Sequence, residues 1–368
     1  MLHLHVLGTA SAKPSKGRSV SGSYLSTPDG GLLIDCGEGM QERVLLHDRS
    51  LRASGSQLRS RLSKVRAILL THGHLDHCWG VLPLLHTMDM EDRREPLIII
   101  GPSTNAAIEW AKRNPGLPPP ADSGILPSDL AILFGWWRAH GGKDESFRYP
   151  VEWRLLAFDD NTPIEVAAAT LDSLILTAIP TLHGVPSCAW QVATRPRPGQ
   201  FDRQRADEIG LDSTRRSTLA AGSNVEFEGE TLVSAEFRGP VRPGRSVLVS
   251  GDTAAGVSGF VGAAVSPPDA LVHEATFLQE QAAKALAYGH STARDAAVHA
   301  GSLGAASLFL THYSSRLEST AGSVVEAAEV FAATSALEDG DIISVDGDGV
   351  VVHRRRQGDG WTEISGSA

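Results

Sequence analysis

Thr71-His72-Gly73-His74-Leu75-Asp76-His77 gathers three imidazoles and a carboxylate into a single short stretch of the chain. It follows Val65-Arg66-Ala67-Ile68-Leu69-Leu70, an apolar run of strand character, so these side chains emerge at the end of a strand. Metal ions need convergent lone pairs on a stiff scaffold, and imidazole with carboxylate suits zinc or a similar borderline cation. His72 and His74, two residues apart, can face one ion, while Asp76 and His77 can turn toward a second.

The same pattern, an apolar strand followed at once by His or Asp, recurs along the chain. Residues 174–179 lead through Pro180-Thr181-Leu182 to His183, and residues 246–251 lead to Asp252. Residues 270–272 lead to His273-Glu274, and residues 307–311 lead to His312. His290 stands in Tyr288-Gly289-His290-Ser291-Thr292-Ala293, a loop opening a helix with Ser291 or Thr292 as its cap. Repeated delivery of ligand-type residues describes strands whose carboxyl ends share one edge, a common place for an active site.

Composition sets the frame around these motifs. The 368 residues, 42% hydrophobic and 21% charged, fit one large α/β domain with insertions or two domains. No run approaches the roughly 18 apolar residues of a membrane-spanning helix, and the N-terminal residues read as strand, not as a signal peptide. Cys36, Cys78 and Cys188, an odd number without paired spacing, argue against a disulfide framework, and a cytoplasmic location is expected. A net charge of −10 argues against a surface coated in cations for nucleic acid. A local basic track runs through Arg43, Arg49, Arg52, Arg59, Arg61, Lys64 and Arg66, open to two readings, phosphate contact or a solvated helix face.

The coarse element pattern starts with strands at 2–8, 22–26 and 31–35 and a helix near 39–46. A helix over 80–90 and a strand over 96–100 follow. Residues 114–158 open on Pro115-Gly116-Leu117-Pro118-Pro119-Pro120 and carry Trp136, Trp137 and Trp153, which reads as an insertion. Those tryptophans either pack the insertion onto the body or stack on bases. After Asp252, strand, helix and strand alternate, predicting an α/β sandwich with helices covering two packed sheets. One domain is expected to span 1–353, with a flexible tail over 354–368 that includes Arg354-Arg355-Arg356.

The chain resembles the ribonuclease Z family, tRNA 3'-end endonucleases within the metallo-β-lactamase superfamily. The matching elements are Leu7-Gly8-Thr9, Ile34-Asp35-Cys36-Gly37-Glu38-Gly39, Thr71 to His77, His183-Gly184-Val185, Ser250-Gly251-Asp252-Thr253 and Thr311-His312-Tyr313-Ser314-Ser315-Arg316. Two more, His273-Glu274-Ala275-Thr276 and His290-Ser291-Thr292, separate this family from its relatives. The resemblance implies a metallo-β-lactamase αββα sandwich with an inserted arm. It further implies two zinc ions, manganese being the alternative. His72, His74 and His183 would hold one ion and Asp76, His77 and His312 the other, with Asp252 between them. Asp76 would also orient the attacking hydroxide. His290 would be the general acid, oriented and kept protonated by Glu274. Asp35 would lie beneath the metals, and His273, on an alternating strand, would point away.

The implied function is a metal-dependent phosphodiesterase that removes the 3' trailer from precursor tRNA and leaves a 3'-hydroxyl. Pro14-Ser15-Lys16-Gly17-Arg18 resembles a family loop near the tRNA 3' end, so Lys16 and Arg18, with Arg316, are the candidate substrate-binding residues. The arm, about 195–232, departs from the family's Gly-Pro-rich pattern at Gly210-Leu211-Asp212-Ser213-Thr214-Arg215-Arg216. Two alternatives therefore stand beside precursor tRNA processing. One is a small-molecule or cyclic-nucleotide phosphodiesterase using the same centre, the other an RNA-binding paralogue without turnover. The resemblance also implies a homodimer, with no membrane partner.

Overall fold

The computed structural model describes residues 1–15, 17–140, 147–158, 162–256 and 266–364. It divides into two compact units, residues 1–193 with 246 onward, and Thr194–Arg245.

Among the described residues of the larger unit, two sheets form. One holds β1 (Leu2–Gly8), β2 (Gly22–Thr27), β3 (Gly30–Ile34), β4 (Val65–Leu69), β5 (Leu97–Ser103) and β6 (Val151–Ala157). The other holds β7 (Ile164–Val166), β8 (Leu174–Pro180), β9 (Cys188–Thr194), β12 (Ser246–Val249), β13 (Ala270–Glu274), β14 (Ser307–Thr311) and β15 (Thr334–Ala336). The chain then returns to the first sheet with β16 (Ile342–Val345), β17 (Val351–Gln357) and β18 (Gly360–Ile364). The first sheet runs β18-β17-β16-β1-β2-β3-β4-β5-β6 and the second β15-β14-β13-β12-β9-β8-β7.

Alternation explains how both faces of each sheet are buried. Leu2, Leu4, Leu25, Leu32 and Ile34 meet Leu176, Ala178, Trp190, Val247 and Phe309 between the sheets. Leu33, Ile68 and Ile99 face outward onto α1 (Met40–Ala53), α3 (Val81–Met90) and α5 (Leu130–His140). Helices at Ala293–Leu303 and Ala321–Ala328 cover the second sheet through Ala296, Ala300 and Ala327. The larger unit is thus an αββα sandwich, as expected. Among the described residues no helix is long and apolar enough to cross a membrane.

Parallel pairing sets the position of the site. Strands β3 to β6 run parallel, as do β12 to β15. Parallel strands place all their carboxyl ends on one edge, so the loops carrying Asp35, His72–His77, Asp252, Glu274 and His312 converge there.

Three sequence expectations are corrected. The region 114–158 is not wholly an insertion: α5 covers the first sheet, and β6 pairs with β5 from Leu97↔Val151 to Ser103↔Ala157. Its Pro-rich opening hid that return to regular structure. The segment from 354 is not a flexible tail, because β17 and β18 extend the first sheet to Ile364. Buried Asp341 explains this, drawing in His353 at 2.8 Å and Arg355 at 3.2 Å, while Trp361 donates to the Gly340 carbonyl. The basic track before the metal motif is partly internal. Arg43 donates to the carbonyls of Leu7 and Val20, Arg52 pairs with Asp48 and Arg66 with Glu95. Arg49 remains exposed.

The smaller unit holds α6 (Arg203–Glu208), α7 (Ser213–Ala220) and the hairpin β10 (Val225–Phe227) with β11 (Glu230–Leu232). Asp202 and Asp212 cap its helices by accepting from Arg205 and Arg215 backbone N–H groups. Ala206, Leu211, Leu219 and Phe237 form its own small core. This unit reaches beyond the 195–232 expected for the arm.

Candidate metal centre

β4 ends at Leu69, and the loop that follows is anchored to the second sheet. Cys188 N–H donates to the Thr71 carbonyl, His72 bridges Ser187, and Trp190 Nε1–H donates to the Leu70 carbonyl. With its backbone fixed, α2 (Leu75–Cys78) starts directly after His74 and aims Asp76 and His77 back toward the sheet edge.

Two donor sets result. His72 Nε2 lies 3.0 Å from His74 Nδ1, which lies 3.1 Å from His183 Nε2. Asp252 Oδ2 stands 3.7 Å from both His72 Nε2 and His183 Nε2. On the other side, His77 Nε2 and His312 Nε2 approach to 3.2 Å, and Asp76 Oδ2 lies 3.6 Å from each. Asp252 Oδ1 completes that set at 3.4 Å from His77 and 3.3 Å from His312. All seven residues expected as ligands are therefore brought together, with the two oxygens of Asp252 facing opposite sets.

The donor chemistry fits a divalent cation in each set. Asp252 Oδ1 is buried and accepts no hydrogen bond, an arrangement that costs about 1–3 kcal/mol without a positive partner. Tetrahedral ligands bound at about 2.0–2.1 Å stand roughly 3.3 Å apart, close to the spacings found. Burial first, then neighbouring imidazoles, holds the His72 pKa well below its ordinary value, keeping its lone pair free. Burial also lowers His74 and His183. His77 behaves oppositely. Burial pulls it down, yet Asp252, Asp35 and Asp76 together outweigh that and push it up to about 10. Three carboxylates converging on one imidazole call for positive charge.

A layer of hydrogen bonds orients the ligand rings. Asp35 Oδ2 lies 2.6 Å from His77 Nδ1, and Asp35 also accepts from Thr71 N–H and Oγ1–H. Thr71 Oγ1 in turn meets His72 Nδ1 at 3.1 Å. Thr276 does the same on the other side, donating to Glu274 Oε2 at 2.6 Å and meeting His312 Nδ1 at 3.0 Å. His183 Nδ1 lies 2.8 Å from the Gly289 carbonyl. Each bond leaves the opposite ring nitrogen as the donor atom of the set. Asp35 and His312 both hold positive φ, 59° and 58°, conformations that cost free energy and persist where surrounding contacts enforce them. Thr71 and Thr276 carry these links, yet sequence reasoning gave them no role. Their position beside ligand motifs was the available signal.

His290 stands beside the centre, its Nδ1 2.9 Å from Glu274 Oε1 and 3.9 Å from Asp252 Oδ2. Burial lowers its pKa, but the Glu274 carboxylate outweighs this and lifts it to about 9. Glu274 is held by Thr253 N–H as well as Thr276. His273 faces the other way, as expected, with Nε2 2.9 Å from His299 Nδ1.

The substrate-binding candidates divide. Lys16 lies outside the described residues. Arg18 lies over the Tyr313 ring at 4.8 Å, next to His312, and the Ala12 N–H from the same loop reaches Asp76 Oδ2 at 2.8 Å. Arg316 lines a small cleft with Thr276, Phe277, Lys284 and Ser323.

The metallo-beta-lactamase superfamily model matches residues 16–183. A ribonuclease Z of Pseudomonas putida is 32% identical over 326 residues, covering 86% of both chains. The ribonuclease Z of Halobacterium salinarum is 31% identical over 332 residues, covering 90% of this chain and 92% of its own. The chain belongs to the ribonuclease Z family. A crystal structure of the short form of human tRNase Z shares the fold at TM-score 0.57 and 22% identity, covering 94% of this chain and 99% of that one. In this ribonuclease Z family member, Asp252, in the middle of both donor sets, also lies 3.9 Å from His290 Nδ1.

Proposed function

We propose that the protein is a metal-dependent endoribonuclease that removes the 3' trailer of precursor tRNA and leaves a 3'-hydroxyl. The observation that carries this is the pairing of two donor sets across Asp252 with a proton-bearing His290–Glu274 pair at the same carboxylate. His72, His74, His183 and Asp252 would hold one divalent cation, and Asp76, His77, His312 and Asp252 the other. Together such cations supply a nucleophile at neutral pH and neutralise charge on the phosphoryl oxygens. Zinc suits the imidazole-rich donors better than magnesium does, with manganese the alternative.

The chain's own groups complete the chemistry. The leaving ribose oxygen needs a proton, and His290, held charged by Glu274, stands ready to donate it. Asp76, fixed by the Ala12 N–H, orients the nucleophile. Arg18, over the Tyr313 ring, and Arg316, in the cleft beside Thr276, offer guanidinium groups to substrate phosphates, and Lys16 precedes Arg18 by two residues in the sequence. Membership of the ribonuclease Z family supports tRNA as substrate. Three buried free thiols fit a reducing, cytoplasmic compartment, and the homodimer is part of this proposal on the family resemblance alone.

Cleavage of a precursor tRNA bearing a 3' trailer, beside bis(p-nitrophenyl) phosphate, tests this. The wild type is expected to cut at the discriminator nucleotide, and His290→Ala to slow that by about 10²–10⁴-fold, the usual contribution of a positioned acid. Cleavage of the small diester alone would make the protein a small-molecule phosphodiesterase. Metal-loaded protein inert on both would make it a binding paralogue.

A further inference from the structure

Three tryptophans of the region 114–158 have separate fates. Trp137 is buried against Phe134 and Trp153, and it fastens α5 to the first sheet. Its neighbour Trp136 contributes nothing to that core and stays 40% exposed. Instead its ring lies 6.4 Å from that of Trp79 at an interplanar angle of 21°. His140, one turn further along α5, also stacks on Trp136, at 4.9 Å and 23°.

Trp79 follows His77 by two residues at the end of α2 and is 45% exposed. Its backbone N–H donates to the Leu75 carbonyl, and Leu75 is exposed as well. The two tryptophans are brought together at the metal loop itself. Gly73, between ligands His72 and His74, packs so tightly on the segment before α5 that an added Cβ would lie 1.9 Å from the Ser128 carbonyl oxygen. The same Cβ would lie 3.3 Å from Leu133 Cδ1. Leu133 and Trp136 are three residues apart and share a helix face, so the face that meets the metal loop also carries Trp136.

We propose that Trp79 and Trp136 form a stacking platform for unpaired nucleobases of RNA next to the scissile phosphodiester. The platform rests on the phosphodiesterase function proposed above. The exposed parts of these near-parallel indoles are apolar surface left in water, which a nucleobase covers without regard to sequence. Continuity with the metal loop selects this occupant over a protein partner, because Trp79 closes the same single-turn helix that carries Asp76 and His77 of the donor set. The role differs from that of Trp137, whose ring is consumed by packing.

The test compares kcat/KM on precursor tRNA with kcat/KM on bis(p-nitrophenyl) phosphate, which carries no base. Stacking is worth about 1–3 kcal/mol per base, so Trp136→Ala is expected to lower the RNA-to-diester ratio by about 5- to 150-fold, chiefly through KM. Trp136→Phe should recover most of it. Trp79→Ala, from the other helix, should shift the ratio in the same direction. An equal loss on both substrates would mean a structural role and overturn the platform, as would no loss on either. Titration with a single-stranded oligoribonucleotide, read by tryptophan fluorescence, separates the two proposals. Quenching that disappears in Trp136→Ala upholds the platform even where the wild type cuts no RNA. Quenching that Trp136→Ala leaves intact overturns it even where RNA is cut.

Discussion

At the scale of single residues, Asp35 governs more than its distance from the donor atoms suggests. It orients His77 directly and His72 through Thr71, so one carboxylate sets a ring in each donor set. Asp35→Asn keeps the shape and tolerates the left-handed backbone at φ 59°, while removing the charge opposite His77. Metal affinity, measured by competition with a chelator, should fall about 10–100-fold with the fold retained. The seven expected ligands were readable because each stands in a short loop or turn that an apolar strand run leads into. Thr71 and Thr276 were marked only by their position beside ligand motifs. A threonine hydroxyl has no distinctive spacing, and its role exists only where folding brings a carboxylate and an imidazole to it.

At the scale of elements, the centre depends on how closely loops from different sheets approach. Gly251, between β12 and Asp252, has φ 60°, and a Cβ there would lie 2.6 Å from Thr71 Cβ. Gly251→Ala therefore meets backbone strain of about 1–2 kcal/mol together with a collision against the residue that braces Asp35. Both Tm and metal affinity should drop. Gly301→Ala is the contrast, lying in the helix Ala293–Leu303 with nothing within 4 Å of the added carbon. It should stabilise by about 0.5–1 kcal/mol in urea unfolding. The strands feeding the site were legible because apolar runs ended in turn residues or ligands, as at β1, β3 and β14. α5 and β6 were obscured by the prolines at 115–120, and β17 by three arginines. The arginine run looks solvated until buried Asp341 supplies its partner.

At the scale of the whole molecule, stability carries a pH dependence separate from the metals. His5 Nδ1 lies 2.9 Å from His47 Nε2 beneath Tyr24 and Trp361, and both imidazoles are buried. Burial pushes the His47 pKa from 6.5 down to about 4, and His5 is lowered too. A histidine depressed in the folded state binds its proton more readily once unfolded. Its contribution is complete above pH 6.5 and is lost as pH falls toward about 4, at roughly 1.4 kcal/mol per pH unit. Urea unfolding of the chelated protein at pH 7.5 and pH 5 should show this loss, and His47→Gln should flatten it. The αββα layering was legible from the alternation of strand and helix. The closure of the first sheet by the last strands was not, since it depends on pairing β1 with β16 across the length of the chain.

The smaller unit begins and ends at neighbouring points. The Thr194 N–H donates to the Arg245 carbonyl, the Arg245 N–H returns to Thr194 Oγ1, and Ala193 pairs with Ser246 across β9 and β12. Topologically, everything between is the turn of one hairpin, swollen into a body with a core of its own. A turn can be exchanged without rewriting the strands it joins. Replacing residues 195–244 by Asn-Gly should leave a folded protein that hydrolyses bis(p-nitrophenyl) phosphate, with any lost activity confined to substrates large enough to reach the excised body. Kinetics on the two substrates would show it. A chain arranged this way can exchange the swollen turn while the strands it joins keep their pairing, because the path enters and leaves through the bonded pair Thr194 and Arg245.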